Sequence, residues 1–382
     1  MQSRGAHHLL LVLLIISGGM LMPLCTVAQS SDTFRAGKWG LDADYMAGKI
    51  FKHSKKINHV PAQATQGFQI DYYMKTLGEK PWHKPLNYPE VGASFLFLHF
   101  GENKVFGDAI ALLGYSKFFV YRSRFVDFYV RIGAGYSVIT RKFDYITNPT
   151  NNIISTTINL AAQIRLGMEW KMSQYVQLNT AFTFNHFSNS AVNLPNYGAN
   201  LLLGTIGLKI IPNPKTLSYN CNHATDFKRN EFIWKYSLGI QEIYGFNGPK
   251  YPIHCGTVAY ARYTSPANKL YVGLSFEYLR SVHDWIIYND IQTRHSASFE
   301  ASIGSVVLGD EILIGRIGMF YSAGVYLWKN TAAYSPMYFK LGANVYFAQF
   351  GKKKGIKFFV GNNLKSHLSV AQCNEFSIGG TL

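Results

Sequence analysis

The feature that most constrains this chain is a rhythm. Segments of about 8 to 15 residues, rich in alternating apolar and polar side chains, are separated by turn-forming clusters along almost the whole length. Candidate strands fall at 38–50, 67–76, 90–101, 108–121, 125–140, 153–171, 175–188 and 199–211. A second set falls at 231–245, 255–264, 269–283, 295–308, 311–328, 336–349, 354–364 and 375–381. Beyond residue 30 no stretch approaches the roughly 20 consecutive apolar residues of a spanning helix. The expectation is an all-β fold, an antiparallel transmembrane β-barrel of the outer-membrane type. About 12 to 16 strands are expected, an even number being usual for such barrels.

The N-terminus points to export. Arg4 precedes an apolar run from Leu9 to Leu24, and Thr26, Val27 and Ala28 follow as small residues before Gln29. A charged start, a short apolar core and a small-residue end are the three parts of a secretory signal peptide. Residues 1–29 are read as that signal. Gly18, Gly19 and Pro23 interrupt the run and argue against a permanent anchor. Leu24 before Cys25 argues against a lipoprotein site.

Composition supports a barrel in lipid. Charged residues are 15% of the chain, against about 25% in ordinary soluble domains. Aromatic residues are also 15%, with 25 Tyr and 27 Phe, which suits lipid-facing strands edged by aromatic girdles. Trp39, Trp170, Trp234, Trp285 and Trp328 are read as girdle residues. The net charge of +16 points either to an anionic partner or simply to general solubility charge. In an exported chain a phosphate-bearing lipid surface suits it better than nucleic acid.

The segment 212–230, rich in Pro, Asn and charge, divides the chain. We read 30–212 as one barrel half, 213–230 as a linker or long loop, and 231–382 as a second half, leaving open whether they close one barrel or two. The halves share a faint echo, His186-Phe187-Ser188 against His367-Leu368-Ser369, which admits a duplication or a coincidence.

The stretch 175–200 carries the chemistry. Alternation puts Val176, Leu178, Thr180, Phe182, Phe184, His186 and Ser188 on one face. Gln177, Asn179, Ala181, Thr183, Asn185, Phe187 and Asn189 lie on the other. In a membrane barrel the apolar face meets lipid, so His186 and Ser188 are expected on the outer wall at the end of their strand. An imidazole two residues from a hydroxyl on one face can take its proton during attack on an ester. On the next strand Asn200 heads another apolar face, Leu202 to Ile210, and in a hairpin it would approach His186 and orient the ring. The plainer reading is that the two strands simply end in polar residues at the membrane rim.

The run HFSNSAVNLPNYGAN resembles the active-site stretch of the PagL-type lipid A 3-O-deacylases, outer-membrane barrels that remove a hydroxyacyl chain from lipid A. His186, Ser188, Asn189, Pro195, Asn196 and Gly198 carry the likeness. It implies His186 as general base, Ser188 as nucleophile, Asn196 and Asn189 at the oxyanion, and no cofactor. The partner it implies is lipid A or lipopolysaccharide among the lipids of the cell outer membrane. The family carries a Glu where this chain has Asn200. An amide can still hold the imidazole ring but cannot neutralise an imidazolium. Papain-like enzymes work with an Asn in that role. The likeness extends over roughly 38–211 and leaves 231–382 unexplained.

Other residues have plainer readings. The face of 359–369 that bears His367 and Ser369 is mostly polar and is expected to look inward, so no catalytic role is assigned. Lys352, Lys353 and Lys354 read as a solvated turn in preference to a phosphate clamp. Cys221 and Cys255 are candidates for pairing in an oxidising compartment. The order Cys221, His223, His254, Cys255 fits no common zinc spacing, so no metal is expected. The alternative to an esterase is a non-catalytic barrel, porin-like or structural, that keeps the deacylase fold; a scaffold binding anionic glycolipid is a third reading.

Overall fold

Sixteen long strands close into two separate antiparallel barrels of eight in a computed structural model that describes residues 34–220, 227–243, 248–328, 335–350, 355–368 and 370–382. A short strand β1 (Phe34–Ala36) precedes the first barrel. That barrel runs β2 (Trp39–Ile50), β3 (Thr65–Lys75), β4 (Glu90–His99), β5 (Asp108–Arg122), β6 (Val126–Ile139), β7 (Ile158–Lys171), β8 (Val176–Ser188) and β9 (Ala199–Ile210). Each strand pairs with its sequence neighbour, and β2 closes on β9. Strand β10 (Lys215–Leu217) then pairs with β1.

The second barrel runs β11 (Asn230–Glu242), β12 (Lys250–Ser265), β13 (Asn268–Leu279), β14 (Ser302–Ile314), β15 (Ile317–Trp328), β16 (Met337–Phe350), β17 (Ile356–His367) and β18 (Val370–Thr381), with β11 closing on β18. Two helices, α1 (Arg280–Tyr288) and α2 (Ala297–Glu300), join β13 to β14. The expectation of strand through residue 283 is corrected here. Val282, Trp285 and Ile286 follow a helical spacing, and the chain turns into α1 at Arg280. The expected strand start at 295 is corrected as well, since 297–300 is α2 and β14 begins at Ser302. The expected break near 309–310 also moves. Asp310 and Glu311 stay in β14, where Glu311 points inward to Lys269, and the turn falls at Gly315–Arg316.

The walls are apolar outside and polar inside. On β8 Asn179, Thr183 and Asn185 are buried in the lumen, while Phe182 is exposed on the outer wall. The lumen of the first barrel is filled from end to end. Asp42, Asp44, Asp71, Glu90 and Glu169 face Lys75, Lys117, Arg131, Arg165 and Lys209. Lys117 reaches Glu169 at 2.5 Å, Lys209 reaches Glu90 at 2.7 Å, and Arg165 reaches Asp44 at 2.5 Å. All but the partly exposed Lys75 are buried, and each charge meets its opposite, the arrangement that makes buried ions tolerable. Toward the end bearing the loops 51–64, 100–107, 140–157 and 189–198 the filling turns apolar, with Ile57, Phe100, Phe106, Ile153, Phe187 and Leu201 in one cluster.

The second barrel has its own buried network, in which Lys269 binds Glu231 and Glu311, and Lys340 binds Glu375. No helix among the described residues is long and apolar enough to cross a membrane. The N-terminal 33 residues, Cys221, His223, Lys352 to Lys354 and Ser369 lie outside the described residues.

Candidate active site

The site is built on the outer wall where β8 and β9 end. His186 and Asn200 are directly opposite in the β8–β9 register. Asn200 Oδ1 lies 2.5 Å from His186 Nδ1. With the amide oxygen accepting, Nδ1 carries the proton and Nε2 presents its lone pair. Both residues stand on the face that includes exposed Phe182 and Leu202, so the imidazole belongs to the lipid-facing wall.

Ser188 ends β8 on the same face, two residues past His186. It is 7% exposed, covered by the loop that follows. Asn196 in that loop donates its side-chain N–H to Ser188 Oγ at 2.9 Å. The Asn196 carbonyl oxygen in turn accepts the backbone N–H of Asn189 at 3.2 Å. The amide is thereby fixed in orientation, with its nitrogen toward the hydroxyl.

Asn189 stands one step further from the chemistry. Its side-chain amide donates to Ser155 Oγ and to the carbonyl of Asn193, both at 2.9 Å, while its backbone N–H holds Asn196. In this geometry it is a brace for the loop and for Asn196.

The loop 189–198 is tied to two others. Gly198 N–H donates to Ile153 O at 2.9 Å, and Ser155 Oγ donates to Asn193 O at 2.8 Å. His53 Nε2 lies 3.0 Å from Tyr197 O, and Phe51 N–H donates to Asn200 O at 2.9 Å. Gly198 has φ of 78°, and a Cβ there would stand 2.7 Å from His186 Cε1. Only glycine lets the backbone lie against the imidazole in that conformation.

The structure therefore brings His186, Asn200, Ser188, Asn196 and Asn189 into one small region. His53, Asn193 and Ser155 join them as supports that sequence reasoning missed. Apart from the bond between Asn189 and Asn193, their hydrogen bonds cross 34 to 144 positions of sequence, and no local pattern marks them. In the second barrel His367 points inward and meets Tyr326 Oη at 2.8 Å. Cys255 and Cys373 are free thiols buried in that barrel. Cys255, Glu277 and Glu375 are the described residues grouped closely enough to hold a metal. The ammonium of Lys340 already sits among them, 2.9 Å from Glu375 and 3.5 Å from both Cys255 and Glu277, and Lys365 binds Glu277.

No curated protein matches the chain. Among solved structures, Neisserial surface protein A aligns over 46% of this chain and 98% of its own, with 8% identity and a TM-score of 0.31. The Pseudomonas putida toluene transporter TodX aligns over 91% of this chain and 88% of its own, at 9% identity and a TM-score of 0.17. A mutant of the Rh. blastica porin aligns over 90% and 99%, at 10% identity and 0.18. Likenesses this distant carry no argument about activity. Family models speak more directly: one described as lipid A 3-O-deacylase (PagL) matches residues 66–209, and one described as acyloxyacyl hydrolase, C-terminal domain, matches residues 230–382. The first match spans the site and the second spans the barrel that the sequence motif left unexplained; the chain belongs to the PagL family of lipid A 3-O-deacylases.

Proposed function

We propose that this protein is an outer-membrane esterase that removes the 3-linked hydroxyacyl chain of lipid A by serine catalysis at the lipid-facing rim of its first barrel. The observation that carries this reading is the pair of bonds from Asn200 to His186 and from Asn196 to Ser188, side by side on the outer wall. Ser188 Oγ attacks the ester carbonyl carbon as His186 Nε2 takes its proton. The carbonyl oxygen becomes an oxyanion beside the Asn196 amide N–H, which stabilises it. The intermediate collapses with loss of the sugar 3-oxygen, which takes the proton back from His186. Water, activated by the same imidazole, then releases the hydroxy fatty acid from Ser188.

Asn200 holds the tautomer in which Nε2 is free, and Asn189 braces Asn196. Substrate arrives by lateral diffusion and meets the site from the membrane side, which agrees with a reacting pair on the wall. In this reading residues 1–29 are the export signal, 213–230 link the two barrels, and the working location is the cell outer membrane.

Purified protein mixed with lipid A should release a 3-linked hydroxyacyl chain, seen as a mass loss in the lipid. Unchanged lipid A after long incubation with folded protein would overturn the esterase reading and leave a non-catalytic barrel of the same fold.

A further inference from the structure

The outer wall of the second barrel carries a notch that the esterase chemistry does not use. Across β11 to β15 the register aligns Tyr236, Gly256, Phe276, Gly304 and Trp328 in one lipid-facing row. A Cβ at Gly304 would run into the Trp328 ring, so that tryptophan covers its glycine. Nothing lies within 4 Å of where a Cβ at Gly256 would stand. The result is a groove of about 500 Å³ with Gly256 as floor and Tyr236 and Phe276 as walls. Trp328 backs Phe276, with ring centroids 6.4 Å apart.

Glycine inside a strand weakens it, and an open glycine commonly marks a place where a ligand comes close. The dimensions select the ligand. Strands two apart lie roughly 9.5 Å apart, so two aromatic walls leave a slot about one hydrocarbon chain wide. An α-helix is about 10–12 Å across with its side chains and does not enter such a slot.

The end of the groove nearer the loops is polar and carries a cation. His254, two residues before Gly256 on the same face, has Nδ1 2.7 Å from Tyr236 Oη. Tyr278 is the register partner of His254. Arg280 follows at the start of α1, paired at 2.8 Å with Asp284, and both are partly exposed. His283 stands beside Tyr278, with ring centroids 6.2 Å apart. An anionic headgroup above the slot would share Arg280 with Asp284.

We propose that this groove is a second, non-reacting lipid site, which takes one acyl chain of lipid A between Tyr236 and Phe276 and its phosphorylated headgroup at His254, Tyr278 and Arg280. The choice of lipid A rests on the functional reading above; the slot and its polar end do not.

The test places p-benzoylphenylalanine at Leu274, which lines the groove, or at Leu341, an exposed residue of β16, in the full chain. Each protein is reconstituted in vesicles of phosphatidylethanolamine containing a minor fraction of lipid A. After irradiation, the protein-bound lipid is identified by mass. Position 274 should capture lipid A at several times its mole fraction, and position 341 should capture both lipids in proportion to the mixture. Gly256→Leu should bring position 274 down to the same proportion, and Arg280→Gln should remove most of the preference for lipid A. Val258→Trp fills the same slot from β12 and serves if Gly256→Leu does not fold. Capture of both lipids in proportion at position 274, no effect of either filling variant, or cross-links to a second copy of the chain would each overturn the proposal. Ser188→Ala should leave capture unchanged, so a failure of the esterase reading is told apart from a failure of this one.

Discussion

Asn200 sits opposite His186 in the β8–β9 register, with its Oδ1 2.5 Å from the His186 ring nitrogen. This bond fixes the ring without neutralising it. On the proposed mechanism His186 is positively charged in the transition state, and an amide oxygen offers that charge only a dipole. Asn200→Glu should therefore raise the rate of lipid A deacylation. It should also move the acid limb of the pH–rate profile to higher pH, because a carboxylate favours the imidazolium and raises the pH at which the base becomes neutral. An unchanged profile would mean that position 200 does not act through the ring.

Ser188→Ala and His186→Ala should each reduce release of the hydroxyacyl chain by at least roughly a thousandfold, since members of such a unit fail together. Both proteins should still fold, as neither side chain supports the buried lumen. Retarded or accelerated migration on gels before and after heating reports the folded barrel, and mass spectrometry of the lipid reports the activity.

Asn196→Ala removes the N–H beside Ser188 Oγ. Loss of one oxyanion donor costs about 10²–10³ in kcat, and KM should change little. A large rise in KM with kcat intact would instead make Asn196 a substrate-binding residue.

Gly198→Ala would press a methyl group against the His186 ring in a left-handed backbone. We expect a loss of activity far larger than the cost to stability, which should stay near 1–2 kcal/mol for strain at one residue. Urea unfolding in vesicles and the deacylation assay, run on the same preparation, separate the two.

Lys117→Met leaves Asp42 and Glu169 short of a buried cation. Breaking a buried ion pair from one side costs about 3–5 kcal/mol, so this variant should unfold at markedly lower urea. The intact protein should show no porin-scale conductance in a planar bilayer, because buried ion pairs cross the lumen of both barrels and an apolar cluster closes the first.

Much of this was legible in the sequence because a barrel strand has a period of two. The alternation at 176–188 put His186 and Ser188 on the apolar face, and the same counting put Asn200 beside them. The partition into two closed barrels was not legible, since eight strands that close and sixteen that close read alike one strand at a time. Nor were Ser155, His53 and Asn193, whose places are set by loops meeting across the rim. The turn into α1 was hidden because Val282, Trp285 and Ile286 suit a strand by type and reveal a helix only by spacing. Gly309 and Asp310, expected as the gap between two strands, lie within β14 and pair with Tyr271 and Leu270 of β13, a pairing that the sequence alone does not display.

The packed lumen of the first barrel has a kinetic consequence. With its centre filled by side chains, neither lipid nor released acid can cross the membrane by way of that barrel. On the proposed mechanism both remain in the leaflet where the reaction occurs. Turnover then depends on surface mole fraction, and diluting the substrate with inert lipid at constant bulk concentration should slow the reaction. Product acid that accumulates in the same sheet would compete for the same stretch of wall.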